Sequence, residues 1–425
     1  MSTTTADGSQ TDQPLGGLHA VGLVFLPFAA GYFMSYVFRS ANAIIAPQLI
    51  IEVGLNAGDL GFLTSVYFLT FAAIQIPLGV LLDHYGPRRV QSCFLLFAAA
   101  GSLLFAVGDS LLVLTIARGL IGLGVAGSLM SALKAFVLWF PASQWPIVYG
   151  CILGIGGIGA VAATTPMEHL LGISDWRGVF IGLAAITMTV SMIILAVVPE
   201  REASGPRTTL GGQLIGVLHV YSSPIFWRIA PITIAVFAAN LSIQGLWSGP
   251  WLRDVGGFER PEVAEFLLLI AACMAVGSVL IGLIATGLEK IGIALPVTMC
   301  VGVLIFMGIQ GAIIVEWAPA SWWPWAAFGA MANIGMLAFT HLNRNFPLEY
   351  AGRVATGLNV FTFGGAFLAQ YLIGEVIDLW PVGANGNYDP VGYFAAFGAI
   401  FVFQAIGFIW FLVPIGPRRM VTLRT

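Results

Sequence analysis

Long stretches without charge recur through this chain, and they limit what it can fold into. Residues 95–107 and 192–198 contain no Lys, Arg, Asp or Glu and do not alternate between polar and apolar positions. Only 9% of the residues are charged, whereas a soluble protein carries about 25%. Lipid must therefore be the main solvent. Because lipid cannot pair with backbone amides, these runs predict transmembrane helices rather than barrel strands.

The apolar runs divide into twelve segments of the length that crosses a bilayer, about 20 residues each. The predicted helices cover residues 20–46, 57–83, 90–108, 111–139, 147–169, 178–198, 226–250, 262–287, 291–316, 320–342, 352–378 and 391–414. We therefore predict an all-α integral membrane protein with two bundles of six helices, residues 18–198 and 226–414. The polar segment 199–225 is the predicted cytoplasmic linker, residues 1–17 a disordered cytoplasmic tail, and residues 415–425 a second tail.

Positive charge is concentrated in the links on one side of the predicted membrane. This side holds Arg88, Arg89, Arg201, Arg207, Lys290, Arg344, Arg353, Arg418, Arg419 and Arg424. The links on the other side hold mainly Arg177, Arg253 and Arg260. Because Lys and Arg accumulate in cytoplasmic loops, both termini are predicted to be cytoplasmic, in a multi-pass protein of a bacterial inner membrane.

The link between predicted helices two and three combines a carboxylate, a tight turn and two cations. It reads Gly79-Val-Leu-Leu-Asp83-His84-Tyr85-Gly86-Pro87-Arg88-Arg89. Gly followed by Pro favours a turn, and an Asp at a helix end can pair with a cation or cap a neighbouring helix. These residues predict a latch that forms in one conformation and breaks in another.

This string resembles the loop signature of the major facilitator superfamily, which occurs at the same link. In predicted helix four, the segment from Arg118 through Gly122 to Gly124 is similar to a second pattern of that family. The resemblance covers nearly the whole chain and implies two pseudosymmetric bundles around a central cavity, with alternating access. It also adds Arg118 to the predicted latch. The second half repeats the loop only faintly, at residues 282–290, and without the Asp, so we expect a latch that is asymmetric between the halves.

Arg39 is the strongest candidate for binding a substrate. It lies well inside predicted helix one, on a face with Tyr32, Tyr36 and Asn42 at helical spacing. A charged side chain at this depth costs between about 2.5 and more than 10 kcal/mol, so it is a functional candidate by default. The planar guanidinium matches a carboxylate or a phosphate. The alternative is that Arg39 reaches the membrane surface or pairs with an acid.

Four further residues are weaker candidates for substrate binding than Arg39. Lys134, in helix four, either adds a second cation to the cavity or reaches the cytoplasm. Gln244 and Trp247 end helix seven, beside glycines that can bend it, and line either the cavity or an ordinary helix end. Asn359, in helix eleven, is an amide that needs a partner.

The predicted function is secondary transport of a small organic anion, by proton symport or anion exchange. The alternatives are proton-coupled multidrug efflux and, less favoured, a receptor on a transporter scaffold. Efflux is disfavoured because no acid lies in the middle of a helix and because helix five lacks the Gly-Pro element usual in such antiporters. The dispersed histidines and cysteines predict no metal site, no cofactor and no enzyme. The expected partners are lipid, the anion, a possible coupling proton and no nucleic acid, for a monomer.

Overall fold

In the computed structural model, which describes residues 17–201, 209–347, 350–383 and 386–413, the chain is almost entirely helical. We number its membrane spans 1 to 12. They are Leu18–Val53 (span 1), Ala57–Val107 (spans 2 and 3), Leu111–Trp139 (span 4), Trp145–Ala162 with Thr165–Ile173 (span 5), Trp176–Val197 (span 6), Pro224–Asp254 (span 7), Arg260–Lys290 (span 8), Leu295–Ile314 (span 9), Trp323–Met331 with Met336–Asn343 (span 10), Ala351–Ile377 (span 11) and Pro390–Leu412 (span 12).

Spans 2 and 3 are two helices that meet at Gly86, where the backbone leaves helical geometry. At about 1.5 Å per residue, a single straight helix of these 51 residues would reach far beyond a bilayer core of about 30 Å. Gly86 has φ 74° and ψ 163°, a conformation that only glycine adopts readily. The Gly86-Pro87 turn predicted from sequence is therefore the point where the helix reverses, and the twelve-span arrangement is confirmed.

The bundle has two ends, which we name by one residue each. The Asp83 end carries the Gly86 turn and a short linker helix, Leu210–Tyr221. The Asp378 end carries the start of span 2 and the end of span 11, where Asp378 accepts a hydrogen bond from the Ala57 N–H at 3.0 Å.

Three boundaries differ from the predictions. Span 1 continues to Val53, beyond the predicted end at residue 46, and contains Pro47; a proline in a long helix is tolerated where neighbouring helices pack around it. The linker helix was not predicted within 199–225. Span 10 is two short helices on either side of residues 332–335. The predicted tails lie outside the described residues, apart from Gly17 at the edge of the first, and the proposed domain limits stay predictions.

The two halves meet along spans 2 and 11 and along spans 5 and 8. The Phe71 and Phe363 rings approach to 4.1 Å between centroids, joining span 2 to span 11 at mid-depth. Nearer the Asp378 end, the Gln370 amide donates to the Thr64 hydroxyl at 2.7 Å. These contacts fix where a central site can lie and which end of it is covered.

Candidate functional site

Arg39 lies at mid-depth in span 1 and is enclosed by aromatic rings. The carbon at the centre of its guanidinium group is 4.7 Å from the centroid of Tyr36, 5.8 Å from that of Phe71 and 5.7 Å from that of Phe363. Its Nε is buried without a hydrogen-bond partner. Cation–π contacts contribute about 0.5 to 2 kcal/mol each, so the rings compensate only part of the cost of desolvating this charge.

Among the described residues, no Asp or Glu forms an ion pair with Arg39 within 4.0 Å. Every described acid lies near a span end or in a link, including Glu168 and Glu375. Glu168 pairs with Arg260 at 2.7 Å at the Asp378 end. A mid-depth cation with no described counter-ion is a candidate site for an anion.

Tyr32 and Tyr36 form one wall of this site. Their hydroxyl oxygens are 3.5 Å apart and their rings pack edge to face. Span 5 approaches them closely at Gly156, where an added Cβ would lie 2.6 Å from a Tyr32 ring carbon and 2.8 Å from a Tyr36 ring carbon. The absence of a side chain at Gly156 therefore lets span 5 pack directly on the two rings, of which Tyr36 contacts Arg39.

The second half contributes the opposite wall. Phe363 from span 11 faces Arg39, and Asn359 lies about one turn nearer the Asp83 end of the same span, half-buried. Arg39 thus sits where the two halves meet, so a ligand bound there contacts both. Asn42, one turn beyond Arg39, is buried and its Oδ1 has no hydrogen-bond partner among the described residues.

Span 7 contains a π-helical turn at Ile243–Trp247, a feature frequent at functional sites. Trp247 is fully buried and its indole N–H donates to the Gln370 carbonyl at 3.0 Å. An added Cβ at Gly61 of span 2 would lie 3.3 Å from a Trp247 ring carbon, which puts Trp247 in the seal between the halves, on the Asp378 side of the centre. Gln244 lies one turn closer to mid-depth and is also buried.

The Asp378 end is closed by several contacts between the halves. Asp378 also accepts from the Gly58 N–H at 2.6 Å, so its carboxylate caps the start of span 2. The Thr165 hydroxyl donates to the Ala264 carbonyl at 3.2 Å, joining span 5 to span 8. With the Glu168–Arg260 pair, these contacts place the closed gate at this end.

The predicted latch residues form contacts within the first half. Asp83 pairs with Lys134, which links span 2 to span 4. Arg88 donates to the Leu195 carbonyl through Nε at 3.1 Å, and Arg89 pairs with Glu200. Lys134 was predicted as a substrate residue, but it is engaged at the Asp83 end, away from Arg39. Gly79 packs near the linker helix, 3.5 Å from Gln213 for an added Cβ.

The second half has a matching pair, which corrects the expected asymmetry. Arg344 at the end of span 10 binds both carboxylate oxygens of Glu289 at the end of span 8, at 2.5 and 3.2 Å. In a fold of two repeated halves, spans 8 and 10 correspond to spans 2 and 4. The carboxylate is a Glu one residue before Lys290, so the missing Asp concealed it in the sequence.

Arg118 lies apart from the latch. It is fully buried in span 4, and both terminal nitrogens donate to the Phe38 carbonyl at 3.3 and 3.4 Å. Its guanidinium lies 5.3 Å from the Tyr67 centroid. Arg118 therefore ties span 4 to the backbone of span 1, one residue from Arg39, which makes it a positioning residue.

Comparison with known proteins decides the family. The sequence model of the Major Facilitator Superfamily matches residues 28–370. The chain belongs to this superfamily. The superfamily is one of transporters, so the chain is a multi-pass membrane transporter and not an enzyme.

Individual superfamily relatives are distant but cover most of the chain. A protein from Cupriavidus necator named "Probable sulfoacetate transporter SauU" is 24% identical over 84% of this chain and 86% of its own length. A "Probable galactarate/D-glucarate transporter GudP" from Bacillus subtilis is 23% identical over 92% and 91%. A solved bacterial homolog of the human lysosomal transporter Spinster, inward-facing and unoccupied, matches with a TM-score of 0.74 at 19% identity, covering 93% of this chain and 97% of its own. These bacterial relatives agree with an inner-membrane location.

Several residues around Arg39 and at the Asp378 end were not predicted from the sequence. Phe71 and Phe363 carry no signal in a sequence, because a ring in an apolar run is as consistent with lipid contact as with a binding site. Gly156 could not be told from the other glycines of predicted helix five, because its close approach to Tyr32 and Tyr36 is a contact between spans. The role of Asp378 depends on a partner 320 positions away, which only the packing of spans 2 and 11 reveals.

Proposed function

We propose that this protein moves a small organic anion, bearing a carboxylate or a sulfonate, across the inner membrane by alternating access. The observation that carries the proposal is Arg39, a permanently charged group at mid-depth that has no described counter-ion and is enclosed by rings from both halves. Its planar fork of donors suits the paired oxygens of either acid group. Tyr36 and Tyr32 add hydroxyl groups on the same wall.

The names of the relatives support this substrate class. Sulfoacetate, galactarate and D-glucarate are all small, strongly acidic solutes. Multidrug efflux is not favoured by any specific observation, since a carrier of organic cations needs a buried carboxylate to attract them. All described acids are near span ends or in links.

The surroundings of Arg39 favour coupling by anion exchange rather than by proton symport. An empty carrier that changes conformation must enclose the unpaired charge of Arg39, which costs several kcal/mol. A protonatable acid beside Arg39 would neutralise it, and the described residues offer none. A bound anion would neutralise it equally well, so the loaded carrier should reorient faster than the empty one.

For orientation, we propose that the Asp83 end faces the cytoplasm. The described cations of this end are Arg88, Arg89, Lys134, Arg201, Arg228, Lys290, Arg344 and Arg353. The described cations of the other end are Arg177, Arg253 and Arg260, each paired with an acid. The positive-inside rule then assigns the closed gate to the periplasmic side.

Binding is tested by thermal stabilisation of the purified protein with sulfoacetate, D-glucarate and an organic cation. Arg39→Gln should weaken anion binding by about 10- to 150-fold, as expected for loss of charged hydrogen bonds of about 1.5 to 3 kcal/mol. Arg39→Lys should weaken anion binding less, because lysine keeps the positive charge but lacks the planar set of donors of arginine. Stabilisation by the cation alone, or by anions equally in Arg39→Gln, contradicts the proposal.

Coupling is tested separately in proteoliposomes. With a bound anion identified, uptake of labelled substrate should be fast into vesicles loaded with the same anion and slow into empty ones. Asn42→Asp, which introduces an acid one turn from Arg39, should raise uptake into empty vesicles. Equal uptake into loaded and empty vesicles, driven by an inward proton gradient, would instead support symport without affecting the anion site.

A further inference from the structure

A lateral cavity at the Asp83 end of the second half is separate from the central site. It has a volume of about 390 Å³ and lies between spans 7, 9, 10 and 12. Two residues that can carry positive charge line it, Arg228 and His341, and its remaining lining is mostly apolar. We propose that this cavity binds the headgroup of an anionic phospholipid in the cytoplasmic leaflet.

Arg228 supplies the recognition. Its Nε donates to the Phe411 carbonyl at 3.0 Å, and its guanidinium lies 5.6 Å from the Phe411 ring centroid. These contacts hold the group in place while its two terminal nitrogens have no hydrogen-bond partner among the described residues. No described acid forms an ion pair with Arg228. A guanidinium that is held in place and has two terminal nitrogens available as donors matches a phosphate.

The mouth of the cavity indicates a lipid rather than a soluble phosphate. Val297, Val301 and Leu412 line it and are each more than half exposed on the outer surface of the bundle. In a membrane protein this surface faces acyl chains. A phosphate that enters from the side, with its chains along these residues, satisfies both the charge and the apolar mouth.

Two tryptophans give the depth of the cavity in the membrane. Trp227 precedes Arg228, and the indole N–H of Trp410 donates to the Trp227 carbonyl at 2.7 Å. Both indoles are substantially exposed on the lipid-facing surface. Tryptophan settles at the level of lipid headgroups, so Arg228 lies at the depth of a phosphate. The proposed orientation makes this the cytoplasmic leaflet.

The test compares lipid binding by the full chain and two charge variants. Native mass spectrometry in detergent would count bound phosphatidylglycerol and phosphatidylcholine at equal concentrations. Arg228→Gln should reduce phosphatidylglycerol binding by about tenfold or more, leaving phosphatidylcholine unchanged. Lys290→Gln removes an exposed cation from the same end and half and should have no effect. Equal losses in both variants, or equal binding of both lipids by the native protein, would overturn the proposal.

A second variant keeps the test informative if Arg228→Gln does not fold. Val301→Trp fills the mouth and leaves Arg228 intact, so it should also displace phosphatidylglycerol. Inorganic phosphate serves as the soluble probe in thermal stabilisation. If phosphate stabilises the native protein as well as phosphatidylglycerol does, and Val301→Trp keeps that effect, the cavity binds a soluble anion and the lipid assignment is wrong.

Discussion

The carboxylate of Asp378 is the most direct means of changing which end of the transporter is closed. It accepts hydrogen bonds from the N–H groups of Ala57 and Gly58, at 3.0 and 2.6 Å, across the contact between the halves. The start of a helix carries roughly half a positive charge, and a partly buried anion there contributes about 0.3 to 2 kcal/mol. Asp378→Asn keeps the size and one acceptor oxygen but removes the charge.

Because this interaction joins the two halves, opening of the Asp378 end should break it. Its loss should therefore shift the balance towards the conformation open at that end by about 1 to 2 kcal/mol, or 5- to 30-fold in the ratio of populations. Asp389→Asn is the matched control. Asp389 caps span 12 by accepting from the Val391 N–H at 2.8 Å, and both residues belong to the same half, so this cap persists in either conformation.

Pulsed electron paramagnetic resonance can measure the shift. Spin labels at Ile173 and Val382, both exposed at the Asp378 end on opposite halves, report the opening in a background without the four native cysteines. We expect a longer-distance population in Asp378→Asn and an unchanged distribution in Asp389→Asn. If the distributions of Asp378→Asn and the parent protein superimpose, the cap does not hold the gate closed.

Three further substitutions test other contacts. Gly156→Ala places a carbon 2.6 Å from a tyrosine ring carbon; overpacking of about 1 to 3 kcal/mol should weaken anion binding by roughly 5- to 150-fold. Gly154→Ala, with nothing within 4 Å, should bind normally in the same titration. Lys134→Met should lower the melting temperature by removing a partner of Asp83, and adding Asp83→Asn should restore part of it; no recovery in the double variant would contradict the pairing. Arg118→Met should cost about 1.5 to 3 kcal/mol by removing the hydrogen bonds that a charged group donates from span 4 to span 1; an unchanged denaturation midpoint would contradict its positioning role.

The membrane spans were predictable because lipid imposes a strong pattern on sequence. Arg39 was predictable for the same reason, since a charge inside an apolar run stands out. The end of span 1 was not, because Pro47 is a local signal for termination and the packing that tolerates it is not local. The division of span 10 likewise follows from its tertiary surroundings rather than from its composition.

Partners distant in sequence account for most of the remaining differences. Lys134 and Asp83 are 51 residues apart, so the sequence offered Lys134 as a free cation. Trp247 was equally consistent with an interfacial position and with a gate, and its close approach to Gly61 of span 2 favours the gate. Each of these assignments needs the packing of one span on another, which hydropathy does not encode.

The distribution of polar contacts indicates which parts move as units. The pairs Asp83–Lys134 and Glu289–Arg344 each join spans of a single half, so rocking of the halves does not require them to break. They stiffen each bundle at the Asp83 end. At the Asp378 end, by contrast, Asp378 and the Glu168–Arg260 pair join one half to the other.

The cost of reorientation should therefore be concentrated at the Asp378 end, where contacts between the halves must be exchanged for water. Arg39 lies between this seal and the Asp83 end, against Phe363 of the opposite half. An anion bound there contacts both halves and removes the cost of enclosing an unpaired charge. Because only a difference in affinity between conformations shifts their balance, this neutralisation is the step through which a substrate would drive the exchange of one open end for the other.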